Sequence, residues 1–290
     1  MSTFAQRDKQ LTNYMFDRMS FNPGATGLKG LNTTTIGRLQ WVNVDNAPRT
    51  LLFNLQGNLP KIKSGLGLSF YVDQIGFGTH HDLKLNFSHQ FSLGKVGTLS
   101  PGIGVGILRY KFIPTWFPFD SDLPVGFRDT GFDINLGLFL KGSSLPYYFG
   151  FSTTHITQPF LDEVNFKVAR HYYFTGGYDI TYKALPLLKG LSLKPSFLVI
   201  TEGVTTSFDL TLMANYVLNA YNDELYLGIT YRRKDAIAIL VGYHLKRSQS
   251  VRQIRTWHIG YAYDITTSSI NNYSKGSHEV VLRFNLFKSK

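Results

Sequence analysis

The chain has no cysteine. Disulfide frameworks, thiolate metal sites and cysteine nucleophiles are therefore excluded, and the lack suits an exported protein that avoids stray oxidation. Long hydrophobic runs are missing as well. The longest apolar stretches, such as Ala236 to Tyr243, cover less than half of the roughly 20 residues a helix needs to cross a bilayer. A spanning protein without such helices must be a closed barrel, because every backbone amide in lipid needs an internal partner. No leader is visible, since Met1 to Ala5 is shorter than an h-region of about 7–15 residues. Phe4-Ala5-Gln6 resembles the remnant of a cleavage site, which implies a removed leader and a mature start near Gln6. Acidic residues are few, 19 against 30 basic ones, for a net charge of +11. Such a balance invites a nucleic-acid partner, but the basic residues are scattered, and no nucleic acid is expected.

Aromatics are abundant at 15%, with 17 Tyr and 23 Phe. They sit in segments of period-2 alternation, the signature of strands with one apolar face. Leu83, Leu85 and Phe87 alternate with Asp82, Lys84, Asn86 and Ser88. Phe132, Ile134, Leu136, Leu138 and Leu140 alternate with Asp133, Asn135, Gly137 and Phe139. The same pattern recurs through Phe208–Tyr216, Leu225–Tyr231, Ile237–Tyr243, Trp257–Tyr263 and Val280–Leu286. It predicts strands over 31–43, 49–59, 64–73, 79–92, 97–112, 130–141, 146–156, 168–183, 190–201, 205–218, 223–232, 235–246, 253–265 and 277–288. The fold class is all-β, a single transmembrane antiparallel barrel of about 14 strands. In 97–112, Ile103, Val105 and Ile107 share one face while Leu108, Tyr110 and Phe112 share the other, a conflict that a bulge would reconcile.

Connections sort by parity. Those after even strands are short, and three after odd strands are long: Ile113 to Asp129, Thr157 to Lys167 and Thr266 to Gly276. Tight periplasmic turns with longer external loops are the habit of outer-membrane barrels, which places both termini on the periplasmic side. The short-turn side gathers Lys61, Lys63, Lys95, Lys141, Lys183, Lys189, Lys246, Arg247 and Arg252, against Asp223 and Glu224. The long-loop side carries Asp120, Asp122, Asp129, Asp162 and Glu163, together with Arg232-Arg233-Lys234. Either the turns are merely soluble or touch anionic headgroups, or they form a basic rim that docks an acidic partner. Outer-membrane lipid or lipopolysaccharide is the expected surrounding. Residues 1–30 are not strand-like and form a separate unit before the barrel of 31–290. Leu11, Tyr14, Met15 and Phe16 have rough helical spacing, and Ser20-Phe21-Asn22-Pro23-Gly24 signals a turn. The segment is too apolar for a solvated tail, so a lumen plug or a periplasmic contact arm is expected.

Several residues resemble the PorP/SprF family of outer-membrane proteins of the type IX secretion system of Bacteroidota. They begin with Gln10-Leu11-Thr12-Asn13-Tyr14-Met15-Phe16 and Asn22-Pro23-Gly24-Ala25-Thr26-Gly27. Arg38-Leu39-Gln40-Trp41, Ala47-Pro48-Arg49-Thr50, Gly65-Leu66-Gly67-Leu68-Ser69 and Asp73-Gln74-Ile75-Gly76 follow. Ala169-Arg170-His171-Tyr172-Tyr173, Leu193-Lys194-Pro195-Ser196, Tyr231-Arg232-Arg233-Lys234-Asp235-Ala236, Gly260-Tyr261-Ala262-Tyr263-Asp264 and Gly276-Ser277-His278-Glu279-Val280 complete the series. Ala25-Thr26 departs from the family's aromatic-containing step, and Lys288-Ser289-Lys290 extends past the last aromatic, Phe287. The resemblance implies a non-enzymatic component of protein export and gliding motility. It further implies contact with a secreted surface adhesin, its C-terminal signal domain, or periplasmic ring proteins. Candidate partner-binding residues are Tyr14, Met15, Phe16, Asn22, Pro23, Lys61, Lys63, Lys183, Lys189, Lys246 and Arg247. A small-solute or hydrophobic-compound channel on the same architecture is the alternative.

No catalytic, metal or cofactor site is expected. Gly102-Ile103-Gly104-Val105-Gly106 has no helix after it, so a phosphate loop fails, and strand glycines that let neighbouring side chains or a plug approach explain it better. His80 and His81 point to opposite faces of a strand and cannot easily share an ion. His89 lacks a serine nucleophile motif and fits an interfacial position. Trp41, Trp116 and Trp257 read as interfacial girdle. Arg38, Lys84, Asp82, Asp133, Arg170, Asp209, Glu279 and Arg283 fall on lumen-facing positions, where pairing that holds a plug is favoured over a transport path.

Overall fold

The computed structural model describes residues 9–28, 30–114, 126–161, 166–181, 190–218, 223–250 and 253–288. The strands are β1 (Leu31–Leu39), β2 (Arg49–Leu59), β3 (Ser64–Ile75), β4 (Gly78–His89), β5 (Gly97–Phe112), β6 (Phe127–Gly142) and β7 (Tyr147–Thr154). There follow β8 (His171–Tyr178), β9 (Leu191–Thr201), β10 (Thr206–Val217), β11 (Glu224–Arg232), β12 (Ala236–Ser250), β13 (Gln253–Thr266) and β14 (Ser277–Lys288). Each pairs antiparallel with its chain neighbour. β14 returns to β1, with Leu31 opposite Leu286 and Leu39 opposite His278. The result is a closed 14-stranded barrel. Closure leaves no long free edge, as a barrel in lipid requires. Among the described residues no helix is long and apolar enough to cross a membrane.

Alternation sets which side chains face in. On β4, Leu83, Leu85 and Phe87 are 42%, 56% and 41% exposed, while Asp82, Lys84, Asn86 and Ser88 are buried at 2% or less. Leu51, Phe53 and Leu55 on β2, Leu227, Ile229 and Tyr231 on β11, and Ile237, Ile239 and Val241 on β12 repeat the outward apolar row. A water-soluble core would have the opposite polarity, so the apolar belt faces lipid and the polar rows face the lumen. Placing a charge on the belt, as in Leu85→Arg, is therefore expected to cost about 2–4 kcal/mol near the bilayer midplane. Urea-driven unfolding from vesicles checks this.

β5 needs no bulge. Its register with β4 and β6 is continuous from Ser88–Gly102 to Gly78–Phe112 and from Gly97–Gly142 to Phe112–Phe127. The two apolar faces have separate causes. Ile103, Val105 and Ile107 face outward into the belt, while Leu108 faces inward and meets Leu161 and Val168, with Tyr110 packed against them. These partners come from the segment after β7, which folds inward. β7 pairs only with Leu136–Lys141 of β6. Past that point the Ile156 amide donates to the Ile134 carbonyl (2.9 Å) and the Thr157 hydroxyl to the Phe132 carbonyl (3.0 Å). A two-residue pairing of Phe160–Leu161 with Phe166–Lys167 completes the fold-in. β7 and β8 are accordingly shorter than the spans 146–156 and 168–183 expected from the sequence, although Ile180–Thr181 extends β8 along β9.

The end joining β2 to β3, β4 to β5 and β6 to β7 is here termed the short-turn end. β1 starts there and β14 finishes there. At the turn from β2 to β3, Lys63 adopts left-handed backbone (φ 48°) after one 3-10 turn, Pro60–Ile62. The opposite, long-loop end carries the longer connections 40–48, 155–170 and 267–276. Asp120, Asp122, Trp116, Asp162, Glu163, Lys183, Lys189 and Arg252 lie outside the described residues.

Candidate functional site

A lumen this wide is not filled by wall side chains alone, since about eight strands suffice for that and 16–18 leave an aqueous channel. Residues 9–28 occupy it. Lys9 lies in the long-loop half, 2.9 Å from Asp82, and the segment descends to Gly27, whose amide donates to Gln56 near the short-turn end (2.8 Å). On the way it meets every strand. Phe16 stacks at tilted or edge angles on Tyr226, His244 and His258 of β11, β12 and β13. Tyr14 shares hydrogen bonds with Ser196 of β9 and Thr211 of β10, and Phe21 stacks on Tyr173 of β8 at 5.3 Å. Asn22 donates to the Leu138 and Phe151 carbonyls of β6 and β7, Asp17 accepts from Asn54 of β2, and the Ser88 hydroxyl of β4 donates to the Thr26 carbonyl. Burial raises the pKa of the Asp17 carboxyl, opposed by Asn54 and the positive charges of Lys9 and Arg283.

Wall glycines make room for this segment. A Cβ on Gly102 of β5 would strike Pro23 and Gly24, and one on Gly137 of β6 would strike the Asn22 side chain. One on Gly65 of β3 would strike the Thr26 carbonyl, and one on Gly67 the Met19 sulfur. The turn itself is built by Asn22, whose Oδ1 accepts from the Gly24 amide (2.9 Å) ahead of Pro23, a residue pre-set for the first position of a helical turn. Of the alternating glycines in 102–106 only Gly102 meets the segment; Gly104 and Gly106 make room for the wall residues Asn86 and Lys84. Gly137→Val is expected to displace the turn at a cost of about 1–3 kcal/mol. Trypsin would then reach Arg18, and the cleavage at that bond is read by mass spectrometry.

Two buried ionic networks pin the upper part of the segment. In the first, Arg38 of β1 donates to Asp264 of β13 (2.7 Å) and Glu279 of β14 (3.0 Å), and Arg232 of β11 donates to Asp209 of β10 and Asp264. Thr12 sits at its centre. Its amide donates to Glu279 (2.9 Å) and its hydroxyl to Asp264 (2.9 Å), while that hydroxyl accepts from Arg38 (3.0 Å) and Arg232 (3.3 Å). Asn13 adds its amide and side chain to Glu279 (2.7 and 2.9 Å). In the second, Lys9 and Lys84 share Asp82, and Lys84 reaches Asp133, which also meets His155 at 2.8 Å.

The structure brings together Arg38, Asp209 and Glu279 in one network and Lys84 and Asp133 in the other, but not all the expected lumen residues. Arg170 lies off the strands, its guanidinium donating to the Ile156 carbonyl (2.9 Å). Arg283 is half-buried, in register with the buried, lumen-facing Thr34 and His258, and joins neither network. Arg232 is a correction: grouped with the long-loop surface by sequence, it is 2% exposed and holds Asp209 and Asp264. It is the last residue of β11, and its inward parity follows Thr230. Thr12 and Asp264 escaped sequence reasoning; only the inward parity of Asp264 marks it, and nothing marks a threonine as a hub. Tyr14, Asn22 and Pro23 are buried against the wall, and Met15 and Phe16 are half-buried there. On the rim, Lys61, Lys63 and Lys95 are exposed, whereas Lys246 is paired with Glu224 and Arg247 with Asp223. His89 stands at the short-turn end of β4, its Nδ1 2.9 Å from the Ser64 hydroxyl.

The family model for the type IX secretion system membrane protein PorP/SprF matches residues 3–284. The chain belongs to this family. In fold, the PorP/SprF barrel is similar to outer-membrane β-barrels of solved structure. A monoaromatic hydrocarbon channel, CymD, matches with a TM-score of 0.52 at 10% identity, over 94% of this chain and 92% of that one. A Pseudomonas aeruginosa FadL homologue gives 0.47 at 12% identity, over 89% and 88% of the two chains. An outer-membrane channel from Pseudomonas putida F1 gives 0.46 at 12% identity, over 91% and 97%. No curated protein matches in sequence.

Proposed function

We propose that this PorP/SprF barrel is a non-enzymatic docking component of type IX secretion, engaging a secreted adhesin, its C-terminal signal or a periplasmic ring protein. The observation that carries the proposal is a lumen occupied by the chain's own N-terminal segment, held to all fourteen strands. A lumen so filled serves solute passage poorly and leaves the exposed rim as the surface for partners. Lys61, Lys63 and Lys95 give that rim exposed positive charge at the short-turn end, which suits an acidic surface. Lys183 and Lys189 extend the same proposal beyond the described residues. Lys246 and Arg247 contribute less, because Glu224 and Asp223 neutralise them. A partner that takes Tyr14, Met15, Phe16, Asn22 or Pro23 must draw the segment out of the lumen.

Affinity purification from native outer membranes tests the proposal. Full-length barrel is expected to retain secretion components or cargo, and Lys61→Glu with Lys63→Glu and Lys95→Glu to lose them. Recovery of lipid and unrelated porins alone, from both forms, would count against it.

A further inference from the structure

Below the two ionic networks the lumen changes character. Arg18, on the N-terminal segment, lies with its guanidinium carbon 3.7 Å from the ring centre of Tyr148 and 5.9 Å from that of Phe139. Lys141 stands exposed at the short-turn mouth of β6, on the same face as the buried Phe139. Arg283 points inward from the opposite wall, in register with Thr34 and His258. Arg18 acts electrostatically on both Lys141 and Arg283. Every buried cation of the upper networks has a carboxylate at 2.6–3.1 Å. These three have none: no side-chain hydrogen bond or ion pair joins any of them to another described residue. The Nε atoms of Arg18 and Arg283 and the hydroxyl of Tyr148 are enclosed without a hydrogen-bond partner. Asp17 acts on Arg283 electrostatically but accepts its hydrogen bond from Asn54 and forms no ion pair with Arg283.

Two half-buried guanidiniums and an ammonium at the mouth, set against the single carboxyl of Asp17, leave positive charge uncompensated in this half of the lumen. Guanidinium forks and an ammonium are also the standard recognition set for phosphate. We propose that Arg18, Lys141 and Arg283 form an oxyanion site in the short-turn half of the lumen. Its ligand is a phosphate group, free or carried by a lipid headgroup, entering from that mouth. A doubly charged oxyanion answers three cations better than a single carboxylate does.

The test uses the full chain purified in neutral detergent without phosphate, titrated with inorganic phosphate at constant ionic strength by calorimetry. Saturable binding is expected, and Arg283→Gln and Lys141→Gln are each expected to weaken it about tenfold or more, the loss of one charge-assisted hydrogen bond. Lys275→Gln, exposed on the long-loop connection at the opposite end, should leave it unchanged. Because Arg283 has no hydrogen-bonded or ion-paired partner among the described residues to lose, Arg283→Gln is also expected to unfold no earlier than the parent when phosphate is absent. No saturable binding, equal binding by parent and variants, acetate binding as tightly as phosphate, or early unfolding of Arg283→Gln would each overturn the assignment. Native mass spectrometry then separates the sources: a phospholipid retained by the parent and lost in Arg283→Gln identifies a headgroup, and its absence alongside phosphate binding identifies the free ion.

Discussion

A chain lacking residues 9–28 is expected to conduct ions in planar bilayers in discrete steps, where the intact chain is silent. The deletion removes every contact between the segment and the wall, including Phe16 on three strands and Thr12 in the centre of the first network. What remains is a closed 14-stranded ring lined by Asp82, Lys84, Asp133, Arg232 and Glu279, whose polarity favours water. Eight strands leave almost no bore and 16–18 leave an aqueous channel, so a ring of intermediate size opens once its filling is gone. The effect is large because it is a change of state, from sealed to open. Silence of the deleted chain, with its barrel intact by heat-modifiable mobility, would mean that wall side chains alone close the lumen.

The second large effect is expected at Glu279. Its carboxylate accepts from the Thr12 amide, the Asn13 amide and side chain, and Arg38, all within 2.7–3.0 Å, and it is fully buried. Glu279→Ala strands these donors and leaves Arg38 with only Asp264 and the Thr12 hydroxyl. Breaking a buried charge pair by removing one partner costs about 3–5 kcal/mol, and equilibrium urea unfolding in detergent micelles measures it. Glu279→Gln keeps one acceptor oxygen and is expected to lose less. A loss under about 1 kcal/mol, the scale of an exposed pair, would show that water reaches the network freely.

The barrel was legible in the sequence because lipid outside and water or a polar plug inside impose opposite chemistry on alternate residues. β4 carries the rule without exception from Asp82 to Ser88, and the expected bounds of β2, β5 and β14 coincide with those observed. Glycines 102–106 were legible too, because no helix follows them and only close approach remains as a reason. Legibility failed where the surroundings change along a strand. Leu108 lies inward against Leu161 and Val168, which come from a segment more than fifty residues later in the chain, so local periodicity suggested a bulge instead. Arg232 sits in an Arg-Arg-Lys run that looks like solvated surface, yet strand parity sends it inward while Arg233 continues into the turn. Thr12 has no chemical signature of its own. Its role exists only because four strands bring Arg38, Arg232, Asp264 and Glu279 to one point.

The whole account depends on apolar rows facing lipid around a closed ring. The absence of native cysteine permits single-cysteine spin labels at each position from 82 to 88 on β4, in barrels reconstituted into vesicles. Labels at 83, 85 and 87 are expected to relax strongly with dissolved oxygen, which partitions into hydrocarbon, and labels at 82, 84, 86 and 88 to respond weakly. An inverted alternation, or uniform accessibility to a water-soluble relaxant, would contradict the membrane barrel and everything built on it.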